Sequence, residues 1–457
     1  MKDLSTKDTL YTGLMLFALF FGAGNLIFPP ALGHAAGVNF WEAMAGFLIT
    51  SVGLPILGVA AIAKSGNLQT LTNRVHPVFS VLFTFITYLC LGPFLVIPRA
   101  GSVAFEMGAA PFLPDELKNQ GLPLFIYTII YFSVNYWLCL NPSKLFDRIG
   151  KILTPIILGL IAIIFIQSMF HPIGEYGTPS SAYQHAAAFK GIMDGYLTMD
   201  ALAALLFGSV VITAIEKRGI RESKKLATIT IKAGIIAGTC LEIIYLMLGH
   251  LGATSHSLLQ SPENGGEILT TVTTHLFGNS GSMLLGILFI LACLTTSVGL
   301  IISCGQYFSS IIPHFSYKSW IGILCLVSMA IANLGLTQII LISVPILTAI
   351  YPLTIVLIIL SFFHKYFKGY SSVYAGGLIG TALISIVDSL RQSKIQLDFI
   401  TNLYNHIPLY AEGVGWILPA ILGAIIGYLW GNLQFSHSYS FARKRYSEFD
   451  VKSHTNN

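Results

Sequence analysis

The stretch from Leu14 to Pro30, LMLFALFFGAGNLIFPP, is an apolar segment whose middle is unsuited to a continuous helix. Glycine and asparagine are poor helix formers, and Gly22-Ala23-Gly24-Asn25 lies between two apolar runs. In the hydrocarbon core, unwound backbone survives only where protein or a cavity satisfies its N–H and C=O groups. We therefore predict a membrane helix that is built as two halves.

The opened backbone at such a break can bind ligands. Freed carbonyls can hold a cation and freed amides an anionic group, as in transporters with broken helices. A structural interpretation stays open, because glycine is common in membrane helices and small residues mark close helix packing.

The composition indicates an all-α polytopic membrane protein. Of 457 residues, 54% are hydrophobic and 10% are charged, whereas soluble proteins carry about 25% charged residues. The apolar runs are long rather than alternating, which excludes a transmembrane barrel. We predict twelve transmembrane helices, since each run can cross a core of about 30 Å. These spans are 9–32, 39–63, 77–108, 122–140, 146–170, 192–215, 226–254, 280–310, 318–334, 338–363, 372–389 and 411–433.

The distribution of Lys and Arg predicts the orientation. With the N-terminus inside, twenty of the 25 basic residues fall on the inner side and four on the outer side, while Arg99 lies within a span. Positive residues favour the cytoplasmic side. We therefore expect both termini in the cytoplasm, including a polar tail at 434–457.

A short repeat links spans 1 and 6. The residues Ala18–Gly22, ALFFG, recur as Ala204–Gly208, ALLFG, five spans later and hence in inverted orientation. Each copy precedes small or polar residues, and paired interruptions in two halves point to a transport site. We predict a second break at Phe207–Ser209. The predicted organisation is a first repeat at 1–170 (spans 1–5), a second at 171–363 (spans 6–10) and accessory spans 11 and 12 at 364–433.

Span 8 contains three consecutive hydroxyls in the motif Ala292–Ser297, ACLTTS. Each hydroxyl can bond to the carbonyl one turn earlier, which would make them purely structural. Alternatively, Thr295 and Thr296 turn their oxygens toward a small hard cation, which prefers oxygen ligands.

Arg99 is the basic residue predicted to lie well inside a span. It needs a counter-charge, solvent or a snorkel to the membrane surface. Asp200 and Glu106 are candidate partners, and an Arg99–Asp200 gate is one hypothesis. Snorkelling to the outer face is the simpler interpretation.

The motifs FFGAGNLIFPP, ALLFG and ACLTTS, together with the twelve-span layout, resemble the branched-chain amino acid:cation symporters. These are the bacterial system II carriers for leucine, isoleucine and valine, within the amino acid/polyamine/organocation superfamily. The resemblance covers essentially the whole chain. It implies a five-plus-five inverted repeat with discontinuous helices 1 and 6, in a bacterial plasma membrane.

The resemblance also implies the site residues. Substrate-binding positions would be Gly22, Ala23, Gly24, Asn25, Phe207, Gly208 and Ser209. Sodium-binding positions would be Ala18, Phe21, Ala292, Thr295 and Thr296. Asn25 matches a residue that in some relatives holds a second sodium, for which the sequence offers no convincing partners.

The predicted function is sodium-coupled symport of leucine, isoleucine and valine by alternating access. Alternatives are a symporter of the same fold for another amino acid or a nucleobase, or coupling to protons. A membrane enzyme is disfavoured, because no catalytic cluster is evident. A channel, which would show a flux that does not saturate, is disfavoured as well. We expect contact with membrane lipid, no organic cofactor, no phosphate-binding loop and no nucleic-acid partner.

Overall fold

The computed structural model of the chain describes residues 5–118, 121–141, 149–393, 395 and 403–434. The predicted tail from residue 435 onward lies outside the described residues. So do four other basic residues that were counted for the orientation, which are Lys2, Lys144, Arg148 and Lys394. Every regular element within the described ranges is helical. The all-α class predicted from the apolar runs is therefore confirmed.

The helices correspond to the predicted spans in order. Span 1 consists of Thr6–Phe20 and Ala23–Ala36. Two helices joined by a π turn form span 2 (Phe40–Leu48, Leu54–Ser65) and span 3 (Pro77–Leu89, Val96–Gly108). Spans 4 to 12 are Gly121–Cys139, Thr154–Phe170, Ala187–Gly195 with Asp200–Lys217, Ser223–Ala253, Asn279–Ile311, Tyr317–Ala332, Leu336–Phe363, Ser371–Gln392 and Ile417–Gln434. A further helix, Gly265–Phe277, connects spans 7 and 8.

By length and apolar character alone, nine helices of the described chain could cross a membrane, or ten if one bent pair is a single span. Tyr317–Ala332 is apolar but shorter. The stretch Ala23–Ser65 passes as one helix of 43 residues, although a straight helix of that length would measure about 65 Å, twice the hydrocarbon core. Within this stretch, the helix Ala23–Ala36 ends at Gly37, which has a φ of 51°. The stretch thus contains half of span 1 and all of span 2.

Span 1 is broken at the predicted place. Its first helix ends at Phe20 and its second begins at Ala23, with extended backbone at Gly22 between them. The prediction of a discontinuous first span is confirmed.

Span 6 is also discontinuous, but the predicted position of its break is wrong. Met199 adopts the left-handed conformation with a φ of 65°, and the helices on either side are bent by 44°. Phe207–Ser209 instead lies inside the continuous helix Asp200–Lys217. Gly208 serves packing there, because a Cβ on it would lie 2.9 Å from the Ile62 side chain.

Span 3 contains an interruption that the sequence analysis did not predict. Gly92 departs from helical geometry with a ψ of −119°, and Pro93 follows it within a π turn. Proline lacks an N–H and disrupts the helix before it. The interruption separates Leu91 from Val96 and Arg99, and all three line the cavity described below.

Spans 1 and 7 cross with their backbones in contact. A Cβ on Gly33 would lie 1.9 Å from the carbonyl oxygen of Gly249, and a Cβ on Gly252 would lie 2.0 Å from that of Pro30. Close approach of this kind is how small residues stabilise helix pairs in membranes.

We expect Gly252→Ala to destabilise the protein, because the added methyl group forces the two helices apart. Overpacking of this kind costs about 1–3 kcal/mol. Gly159→Ala in span 5 is the matched control, since no atom lies within 4 Å of its added Cβ. Thermal unfolding of the purified full-length protein measures the difference. Equal melting temperatures for the two variants would contradict the interpretation.

Candidate functional site

The breaks of spans 1 and 6 face one small cavity of about 20 Å³. The walls come from the two broken spans and from spans 3 and 8. The lining residues are Leu19, Phe20, Gly22, Ala23, Gly24, Asn25, Leu91, Val96, Arg99, Thr198, Met199, Asp200, Ala203, Phe207, Thr296 and Leu300. This volume has room for about one water molecule and is far below the range of ligand pockets, about 300–1,000 Å³. A larger molecule can therefore bind here only if the walls move apart.

A hydrogen-bond network joins the two breaks. The Gly22 N–H donates to Asn25 Oδ1 at 3.0 Å, and Asn25 Nδ2 donates to Asp200 Oδ2 at 2.7 Å and to the Tyr245 hydroxyl. The Tyr245 hydroxyl in turn donates to Asp200 Oδ2 at 2.7 Å. Buried polar groups need such partners, because an unpaired one costs about 1–3 kcal/mol. The network therefore fixes the relative position of spans 1, 6 and 7.

The backbone at the break of span 1 has free groups of both kinds. The Gly22 N–H bonds to Asn25 and is thereby diverted from the carbonyl of Ala18, four residues earlier. The N–H groups of Ala23 and Gly24 belong to the first turn of Ala23–Ala36, so they lack acceptors within that helix. Both residues line the cavity, at the positive end of a helix dipole.

The two threonines of span 8 behave differently. Thr295 Oγ1 donates to the carbonyl of Ala292 at 2.9 Å, which is the structural interpretation of such hydroxyls. Thr296 Oγ1 is buried and has no hydrogen-bond partner among the described residues. It lies against the break of span 1, since a Cβ on Gly22 would be 2.8 Å from it. The structure thus brings Thr296 to the place where a cation ligand was predicted.

The structure brings most of the predicted substrate residues together. Gly22, Ala23, Gly24, Asn25 and Phe207 line the cavity. The Phe207 ring meets that of Phe20 edge to face, with 5.6 Å between centroids.

Gly208 and Ser209 were predicted to bind substrate, and they do not line this cavity. Both lie within the continuous helix that follows the true break, where Gly208 packs on Ile62 and the Ser209 carbonyl accepts a bond from Thr213. The residues at the break itself, Thr198 and Met199, were missed. The one sequence feature that could have pointed to these two residues is the neighbouring charged residue Asp200, which lies inside an apolar span.

The predicted sodium-binding set receives no direct test. Ala18, Phe21 and Ala292 are buried, as are Thr295 and Thr296. Their roles remain predictions.

Arg99 does not snorkel to the membrane surface, so that prediction is wrong. Its side chain is buried, its Nη1 donates to the carbonyl of Leu197 at 2.9 Å, and its guanidinium lies 5.5 Å from the centroid of the Phe28 ring. Arg99 and Asp200 line the same cavity, yet no direct ion pair joins these two described residues. Glu106 instead accepts a bond from the N–H of Leu336 at 3.4 Å.

Comparison with known proteins places these features in a wider context. A family model described as "Branched-chain amino acid transport protein" matches residues 5–434. The permease BraB of Bacillus subtilis is 50% identical over 429 residues, 93% of this chain and 96% of BraB. The branched-chain amino acid transport system 2 carrier protein of Pseudomonas aeruginosa is 44% identical over 427 residues, 93% of this chain and 96% of that carrier.

A solved structure shares the fold at low sequence identity. Mhp1, a nucleobase-cation-symport-1 family transporter in a closed conformation with bromovinylhydantoin bound, superposes with a TM-score of 0.60 at 14% identity, covering 93% of each chain. The likeness supports the five-plus-five inverted repeat that the paired breaks in spans 1 and 6 indicate. The exact boundaries of the two repeats remain predictions.

Proposed function

The chain belongs to the family of branched-chain amino acid transport proteins, and from this premise we propose that it imports leucine, isoleucine and valine by sodium-coupled symport. It is a multi-pass membrane transporter rather than an enzyme. The coupling ion, its stoichiometry and the direction of transport form the proposal. We place it in a bacterial plasma membrane with cytoplasmic termini, which the excess of Lys and Arg on one side supports.

The observation that carries the proposal is the cavity between two broken helices. Its backbone amides at Ala23 and Gly24 suit a carboxylate, and its apolar wall contains Phe20 and Phe207. A wall of this apolar character is what a branched aliphatic side chain requires. Hydrophobic contacts distinguish substrates by only about 1–3 kcal/mol per methylene, so overlapping affinity for all three amino acids is expected.

Sodium is assigned to the junction of spans 1 and 8. Thr296 offers a buried hydroxyl with no partner among the described residues, and the Ala18 carbonyl has lost the amide of Gly22. A sodium ion here would tie span 1 to span 8 and stabilise the outward-open state. Substrate would then bridge spans 1 and 6, and the bundle of spans 1, 2, 6 and 7 would rock against the rest.

Proton coupling is the second candidate, because Asp200 places a buried carboxylate in the same cavity. Uptake of labelled leucine into proteoliposomes, with sodium replaced by potassium at fixed pH, separates the two. Uptake that follows a pH gradient without sodium would overturn the sodium assignment.

We expect Thr296→Ala to raise the sodium concentration for half-maximal leucine uptake at least about tenfold, because a cation site loses one oxygen ligand. Ser303→Ala is the control: it removes a buried hydroxyl of the same helix that donates to the carbonyl of Gly299. We expect wild-type sodium dependence for that variant. Unchanged sodium dependence in Thr296→Ala would remove the cation site from span 8.

A further inference from the structure

The cavity contains two buried side chains of opposite charge that are not paired with each other. Arg99 of span 3 is 2% exposed and Asp200 of span 6 is 1% exposed. Burying a charge is costly unless an opposite charge and hydrogen bonds compensate it. Arg99 and Asp200 thus line the same cavity without a direct ion pair, and each can accept a further counter-charge.

Arg99 forms one end of the site together with the start of a helix. Its Nη1 is bonded to the Leu197 carbonyl, while its Nε has no partner among the described residues. A Cβ on Gly24 would lie 2.7 Å from Nη2, so the guanidinium lies beside the first turn of the helix Ala23–Ala36. A guanidinium and a helix N-terminus both favour a carboxylate.

Asp200 forms the other end. The Asn25 amide and the Tyr245 hydroxyl both donate to its Oδ2. These two donors are neutral, so they orient the carboxylate without cancelling its charge. A primary ammonium carries three N–H donors and a positive charge, which is the complement that this carboxylate lacks.

We propose that Arg99 and Asp200 bind the α-carboxylate and the α-ammonium of a single amino acid, which lies between them once the walls of the cavity have moved apart. The inference rests on the proposed function, because it names the residues that recognise the substrate. The zwitterion brings a counter-charge to each buried group at once. The substrate side chain then lies against Phe20 and Phe207. An analogue that lacks either charged group leaves one buried charge unpaired, and such sites reject incomplete ligands strongly.

The test is competition with labelled leucine on the purified full-length protein. The probes are 4-methylpentanoate, which lacks the ammonium, and 3-methylbutylamine, which lacks the carboxylate. In the wild type we expect each to bind at least about 100-fold more weakly than leucine. A wild type that binds leucine but accepts either probe within about threefold of it would overturn the proposal without any variant.

Variants assign each charge to its residue. In Asp200→Asn we expect leucine to bind more weakly. Its preference over 4-methylpentanoate, which lacks the ammonium, should fall at least about tenfold. Its preference over 3-methylbutylamine, which keeps the ammonium, should be unchanged. Arg99→Gln is expected to show the reverse pattern. Glu106→Gln, a carboxyl in the same span as Arg99 that does not line the cavity, is the control and should keep both preferences.

Two other results have distinct meanings. If both variants bound leucine and the two probes more weakly by the same factor, Arg99 and Asp200 would have only a structural role. That result would overturn their assignment to the two charged groups of the substrate, but it would leave the proposed transport of leucine intact. Absence of binding of any branched-chain amino acid to the wild type would contradict the proposed function, and with it this inference.

Discussion

Asn25→Ala is expected to lower leucine uptake at least about 100-fold, because one amide side chain holds the two breaks together. Its loss leaves the Gly22 N–H, Asp200 and Tyr245 each short of one buried partner. Each unsatisfied group costs about 1–3 kcal/mol. The variant is therefore expected to melt at a lower temperature as well.

A graded series of variants checks this reasoning. Asn25→Asp places a like charge beside the Asp200 carboxylate and is expected to be at least as severe, whereas Tyr245→Phe removes one hydroxyl and is expected to be milder. Uptake is measured per folded molecule in proteoliposomes.

Asn333→Ala is the matched control for this series. It removes an amide that bonds to Thr128 and to the Met329 carbonyl, and it does not line the cavity. If Asn25→Ala kept the same uptake per folded molecule as Asn333→Ala, the network would have no role in transport.

Gly22→Ala is expected to abolish sodium-dependent uptake, with a loss of at least about 100-fold, for a reason of space alone. The backbone of Gly22 is extended, with a φ of −126°, and alanine adopts that conformation. The added Cβ, however, would lie 2.8 Å from Thr296 Oγ1 and 3.1 Å from its Cγ2. Span 1 must then move away from span 8, which opens the proposed cation site.

The double variant Gly22→Ala/Thr296→Ala distinguishes crowding from ion binding. Removing the Thr296 hydroxyl and methyl relieves the contact, so thermal stability should return toward that of the wild type. Sodium dependence should not return, because the ligand is gone. Wild-type sodium dependence in the single variant Gly22→Ala would contradict the close contact of spans 1 and 8.

The sequence revealed the break of span 1 but not that of span 6. Two glycines and an asparagine in an apolar run mark the first break by their low helix propensity. The second break occurs at Met199, which has ordinary helix propensity. It is accompanied by tertiary contacts: Tyr196 stacks on Tyr351, whose hydroxyl accepts a bond from the N–H of Ala201. Such contacts join residues that are distant in sequence, so no local sequence pattern could predict them.

Arg99 illustrates the same limit within the site. Its position inside a span was evident from the sequence, as was the presence of Asp200 in another span. Where the side chain points depends on Phe28 and on the Leu197 carbonyl, which the fold alone brings beside it. A charged residue in an apolar run therefore marks a site without describing its partners.

The glycine crossings described in the fold limit how the helices beside the cavity can slide past one another. Besides the contacts of Gly33 and Gly252, a Cβ on Gly265 would lie 1.7 Å from the carbonyl oxygen of Ile27. Backbone touches backbone at each point, so there is no layer of adaptable side chains to absorb sliding. We therefore expect the helix Ala23–Ala36, span 7 and the connecting helix Gly265–Phe277 to move as one rigid unit in the proposed transport cycle. Opening the cavity would then displace all three helices together.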